Sequence, residues 1–126
     1  MAELTVLFYS GRHRSTRIYM MENGVKPVQD FIEKNQQSRQ NDINRFIRTS
    51  KRICDVERPH REQFCYEKNG IYAIKAHQVR VYGFFDGQNF IMCHAVFKKQ
   101  DKARKEDLEK TDRIREEYKQ RKETKR

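Results

Sequence analysis

Long apolar runs are missing from this 126-residue chain, of which 36% is hydrophobic, with a mean hydropathy of −1.10. No stretch approaches the roughly 18 consecutive apolar residues that a membrane-spanning helix needs. The apolar segment Leu4–Tyr9 is too short for a secretory leader and has no basic residues ahead of it, so a cytoplasmic location is expected. Cysteine is sparse and scattered: Cys54, Cys65 and Cys93 form no CxxC and no close Cys/His set. That spacing argues against a metal site, and neither metal nor cofactor is expected. Three reduced, partly buried thiols are the simpler reading. Internal repeats and low-complexity segments are also missing.

Positive charge is what the chain has in excess. Lys and Arg number 28 against 18 Asp and Glu, a formal net charge of +10. Residues 98–126 carry 13 basic and 8 acidic side chains, and residues 1–97 carry 15 and 10. The excess is therefore the same in both parts, and the folded portion is basic in its own right. Such a field attracts nucleic acid or an acidic protein partner.

Leu4–Tyr9 reads as a strand from its β-branched and aromatic content. A basic loop, Ser10–Arg17, precedes a second short apolar run at Ile18–Met21, which Asn23-Gly24 ends with a turn signal. Pro27 suits a first helical position, and Val28, Phe31 and Ile32 predict a helix over Pro27–Gln36. The strongest helical pattern follows. Ile43, Phe46, Ile47, Ser50, Ile53 and Cys54 fall on one stripe of a 3.6-residue period, with Arg45, Arg48, Lys51 and Arg52 pointing away. From Phe64 the pattern turns extended. Ile71–Ala76, Val79–Phe85 and Phe90–Phe97 are rich in β-formers, separated by His77-Gln78 and Asp86-Gly87. Asp101–Lys122 is polar nearly all round and predicts an exposed helix, supported by acid-before-base pairs such as Glu117–Arg121 and docked by Leu108, Ile114 and Tyr118. The expected fold is α+β: N-terminal strand(s), a helical hairpin on one face of a three-stranded antiparallel meander, and a charged C-terminal helix. The other sheet face is expected to be open and functional.

A two-residue turn at His77-Gln78 sets Lys75 directly opposite Arg80. Like charges facing across strands are destabilising, so the pair suggests a phosphate site, with Arg able to grip in bidentate fashion. Lys98, Lys99, Lys102, Arg104 and Lys105 follow the third strand of the meander. Two registers remain open for that strand. A two-residue loop at Asp86-Gly87 puts Arg80 on the side of Cys93, Ala95 and Lys99, whereas a loop with a Gly bulge puts it with Met92, His94 and Lys98. In the second register His94 becomes a proton-transfer candidate; in the first it is a hydrogen-bonded core residue. His77, in the turn, is placed to touch RNA. Tyr72 and Tyr82 could stack on bases, but sheet aromatics are by default core.

The segment GIYAIKAHQVRVYGFFDGQNFIMCHAVFKKQDKARKEDLEK resembles the C-terminal half of RelE/ParE-superfamily toxins, closest to the HigB-like, phage-associated branch, and Val25–Cys54 is similar to that family's helical hairpin. The resemblance runs over roughly Ile18 to Lys110, within a RelE-like domain at 1–100 followed by a charged helix and tail at 101–126. It implies the toxin of a type II toxin–antitoxin pair, a metal-independent endoribonuclease cleaving mRNA on the ribosome, with an antitoxin protein as partner. By position, Lys75, Arg80, Lys98 and Lys99 match the family's basic active-face residues, and His94 matches a histidine recurrent in the branch. Three departures stand out. Residues 1–17 look like an N-terminal addition, Ala103-Arg104 stands where the family often has Thr-Pro, and no clear match exists to the C-terminal Tyr or His that many members use as a general base. A non-catalytic RNA- or DNA-binding module and, as in ParE relatives, a gyrase-directed inhibitor are the alternatives.

Overall fold

The β-branched and aromatic residues of Thr5–Ser10 form β1, the outermost strand of a six-stranded mixed sheet. This computed structural model describes residues 4–100 and 102–124. After β1 come β2 (Ser15–Tyr19), α1 (Pro27–Asn35), α2 (Gln40–Asp55), β3 (Phe64–Lys68), β4 (Ile71–Ala76), β5 (Val79–Asp86), β6 (Asn89–Phe97) and α3 (Lys105–Thr124). The spatial order is β1-β2-β6-β5-β4-β3, antiparallel throughout except for the parallel pairing of β2 with β6.

The α+β class and the helical hairpin agree with expectation. On one sheet face, Val28 and Ile32 of α1 and Ile43, Phe46, Ile53 and Cys54 of α2 pack onto Ile18, Ile74, Val79, Val81, Phe90 and Met92. Burial of these side chains, about 1.5–3 kcal/mol each when complete, is the main force holding the hairpin to the sheet.

Three expectations need correction. The meander has four strands rather than three, because Asn69-Gly70, both residues at positive φ, turns β3 into β4. That dipeptide is a strong hairpin signal in its own right. The second strand begins at Ser15, inside the stretch read as a loop. There the polar residues are structural: Thr16 is fully buried, and Arg17 Nε donates to Thr5 Oγ1 at 2.7 Å. Lastly, the second sheet face is not open. Helix α3 lies on it, burying Asp107, Thr111, Ile114 and Tyr118 at i, i+4, i+7 and i+11. Its far end is pinned by Tyr118 Oη and Lys122 Nζ, both donating to Asp86 Oδ2 at 2.5 Å, and by Arg121 Nη1 donating to the Met20 carbonyl at 2.7 Å. Burial and the Asp86 bond together push the Tyr118 phenol upward. The helix starts at Lys105, and Asp101, where the expected helix began, lies outside the described residues.

Candidate nucleic-acid interface

What α3 leaves uncovered is one end of the sheet, beside the His77-Gln78 turn and the segment 98–104 that leads into the helix. There a small cleft is walled by Lys75, Arg80, Lys98, Lys99, Lys102 and Arg104, with Glu67 and Asp107 as its carboxylates and Tyr82 and Val96 among its lining. The β4–β5 register sets Lys75 opposite Arg80, as the two-residue turn requires. His77 takes the positive φ, +55°, that closes the turn.

The β5–β6 register resolves the two alternatives by a third route. The turn is Gly87-Gln88, with Asp86 paired to Asn89, and an extra residue enters β6 near Cys93, so Gly83 faces Met92 but Tyr82 faces His94. Arg80 thereby lies opposite Val96 and shares its face with His94, as the bulged register anticipates, although the bulge sits in the strand rather than the loop. Gly83 makes this possible: a Cβ there would run into the Ile91 carbonyl oxygen and the Phe90 ring. Bulges re-aim side chains in this way. Beyond Phe97 the ladder continues one step, with Lys98 N–H donating to the Gln78 carbonyl at 2.6 Å.

A second bulge, in β3 between Tyr66 and Lys68, turns Glu67 toward the cleft. Its Oε1 lies 3.6 Å from Lys75 Nζ and accepts from Cys65 Sγ at 3.0 Å. Burial is the main cause of the raised Cys65 thiol, followed by that bond. Arg80 Nη1 donates to the carbonyls of His77 and Val79, at 2.8 and 3.0 Å, which anchors the guanidinium at the turn. Arg104 pairs with Glu106 and lies 3.9 Å from Asp107.

Although it shares the face of Arg80, His94 is 8% exposed, and its Nε2 donates to Asp107 Oδ1 at 2.8 Å under the base of α3. Burial lowers its pKa below the ordinary histidine value, and the Asp107 bond opposes that shift without cancelling it. It is therefore neutral at neutral pH. Tyr82 is 3% exposed and burial pushes its phenol up to about 12, so it serves as wall and not as a base near neutrality. Tyr72 packs on the opposite sheet face against Phe64 and Phe85.

Two expected contacts lie elsewhere. His77 is turned toward α2, its Nδ1 3.0 Å from Asp42 Oδ1, a contact that heads the causes holding that carboxyl below its usual range. Lys105 is exposed on α3, 3.8 Å from Glu109, and borders a neighbouring groove with Lys102. Glu67 and Asp107 were not anticipated. The Asn69-Gly70 signal would have placed a strand at Glu67, though not its bulge, and the spacing of Asp107 with Thr111, Ile114 and Tyr118 marks it as facing the sheet.

No protein-family model and no curated protein matches this chain.

Proposed function

We propose that this protein is a type II toxin that binds mRNA, on the ribosome, through the α3-side cleft and cleaves it without a metal, its activity restrained in the cell by a partner antitoxin. The observation that carries the reading is the gathering of six cations around one small concavity against two carboxylates. In this reading Arg80 holds the non-bridging oxygens of the scissile phosphate, and Lys75, Lys98 and Lys99 offset the charge that builds on it. The 2′-oxygen attacks phosphorus and O5′ departs, leaving a 2′,3′-cyclic phosphate and a 5′-hydroxyl. The departing O5′ takes a proton from Lys98 or Lys99. Asp107 is the more deeply buried of the two carboxylates and is bonded to His94 beneath α3, so in this reading Glu67, beside Lys75, accepts the 2′-hydroxyl proton.

The test is to express the chain in a translating extract and map transcript ends with translation running and blocked. Cuts that require translation and vanish in Arg80→Ala are expected. Glu67→Gln should keep RNA binding while slowing cleavage. Translation arrest with intact mRNA overturns the reading. The burial of His94 favours one competitor, an RNA-binding module without cleavage, which would protect RNA in footprints and generate no new ends.

A further inference from the structure

The cleft is not the only cationic surface. On α2, Arg45, Arg48 and Arg52 stand at i, i+3 and i+7, all exposed, so they share one helix face over about 10 Å of axis. With Thr49, His77 and Glu62 they border a second depression, and Lys75 lines both that depression and the cleft. One lysine thus joins the two across the end of the sheet.

An exposed helix face is ordinarily charged, and usually its charges are paired. Here they are not. Among the described residues no carboxylate lies in ion-pair range of Arg45, Arg48 or Arg52. The two acids of α2 are engaged elsewhere: Asp42 with Arg39 and His77, Asp55 with the Tyr9 hydroxyl and the Arg12 N–H. Like charges at i,i+3 and i,i+4 repel one another along a helix face and weaken it. A polyanion laid along the row would reverse that repulsion.

We infer that the RNA strand leaving the cleft passes over Lys75 and runs along the α2 arginine row, which binds its phosphates without regard to sequence. The inference rests on the RNA reading above and extends its footprint to a second element. The row contributes affinity and direction to the strand, and the chemistry stays in the cleft.

The experiment compares two variants that lose the same charge: the row variant Arg45→Gln, Arg48→Gln, Arg52→Gln, and an off-row control, Lys51→Gln, Arg113→Gln, Lys119→Gln. Binding of 2′-O-methyl oligouridylates, which cannot undergo 2′-hydroxyl attack, is measured against salt for strands of about 4 and about 16 nucleotides. Each phosphate contact on a single strand contributes about 0.7 to the slope of log K against log salt, so three lost contacts flatten it by about 2. That flattening is expected for the long strand with the row variant alone; the short strand, held in the cleft, should bind all three proteins alike. Circular dichroism confirms that each variant is folded. If the row variant behaves like the control on the long strand, or if short and long strands weaken equally, the inference fails while RNA binding by the cleft stands. If the unaltered protein binds neither strand, the RNA reading fails and the inference with it. An acidic protein competing for the row without any change in the long-strand slope also overturns it.

Discussion

Replacing Asp107 with alanine should destabilise the fold by an amount the geometry allows to be worked out. Asp107 is 6% exposed, and its Oδ1 accepts from His94 Nε2 at 2.8 Å. Removing the carboxylate strands a buried N–H donor, which costs about 1–3 kcal/mol. The Arg104 contact at 3.9 Å adds little, because that guanidinium is about a third exposed and screened by solvent. The sum is about 2 kcal/mol. At about 2.1 cal/mol/K per residue, 126 residues give an unfolding entropy of about 0.26 kcal/mol/K, so the melting temperature should fall by about 8 °C. Asp107→Asn keeps a carbonyl acceptor and should lose less than half of that. Acid sharpens the contrast. The folded His94 binds its proton more weakly than an unfolded histidine, so the unfolded chain holds more protons just below pH 6.5, and stability falls as pH drops through the lowered value. Without Asp107 that value drops further, and the gap between variant and parent widens toward pH 5. Melting followed by circular dichroism at pH 7.5 and 5 reads all three effects. A loss under about 2 °C for the alanine variant, or equal losses for alanine and asparagine, would refute the role given to this bond.

Gly83→Ala should cost about 3 kcal/mol or more, since the added Cβ meets the Ile91 carbonyl, a backbone atom that cannot swing aside; the urea midpoint is the readout. Asp86→Asn should loosen the far end of α3 and flatten the acid limb of stability. Lys122, and then Tyr118, hold the Asp86 carboxyl below its usual range, so its contribution is present above about pH 4 and disappears as pH falls through the lowered value. Melting temperature followed from pH 5 down to 2 checks this, and a variant that tracks the parent would show that Asp86 does not secure the helix.

What could be read in the chain was whatever depends on period. The α2 stripe follows from 3.6-residue spacing and the Lys75–Arg80 pairing from a two-residue turn, and both elements are local. The bulges escaped, because one inserted residue reverses every later side chain and leaves no mark except the glycine opposite it, Gly83. Glu67 was hidden for the same reason. The start of β2 was obscured because its first buried member, Thr16, is polar, and the docked stripe of α3 because Asp107 and Thr111 look like surface residues. The cations of the cleft were legible as a set, since Lys75, Arg80, Lys98, Lys99, Lys102 and Arg104 do meet. His77 and Lys105 were assigned to it only because they adjoin these residues in sequence.

The parallel pairing of β2 with β6 joins Ser15 to Asn89 and Ile18 to Met92, across most of the chain. Contacts of such long sequence separation slow folding, because the loop they close must be ordered before they reward it. During synthesis β2 emerges before β6 and waits for it, and the walls of the cleft, residues 67–107, are made well after β2. A nascent chain therefore carries exposed sheet edges from the emergence of β2 until β6 follows, and the cations of the cleft come together only once α3 has been made and docks on the sheet.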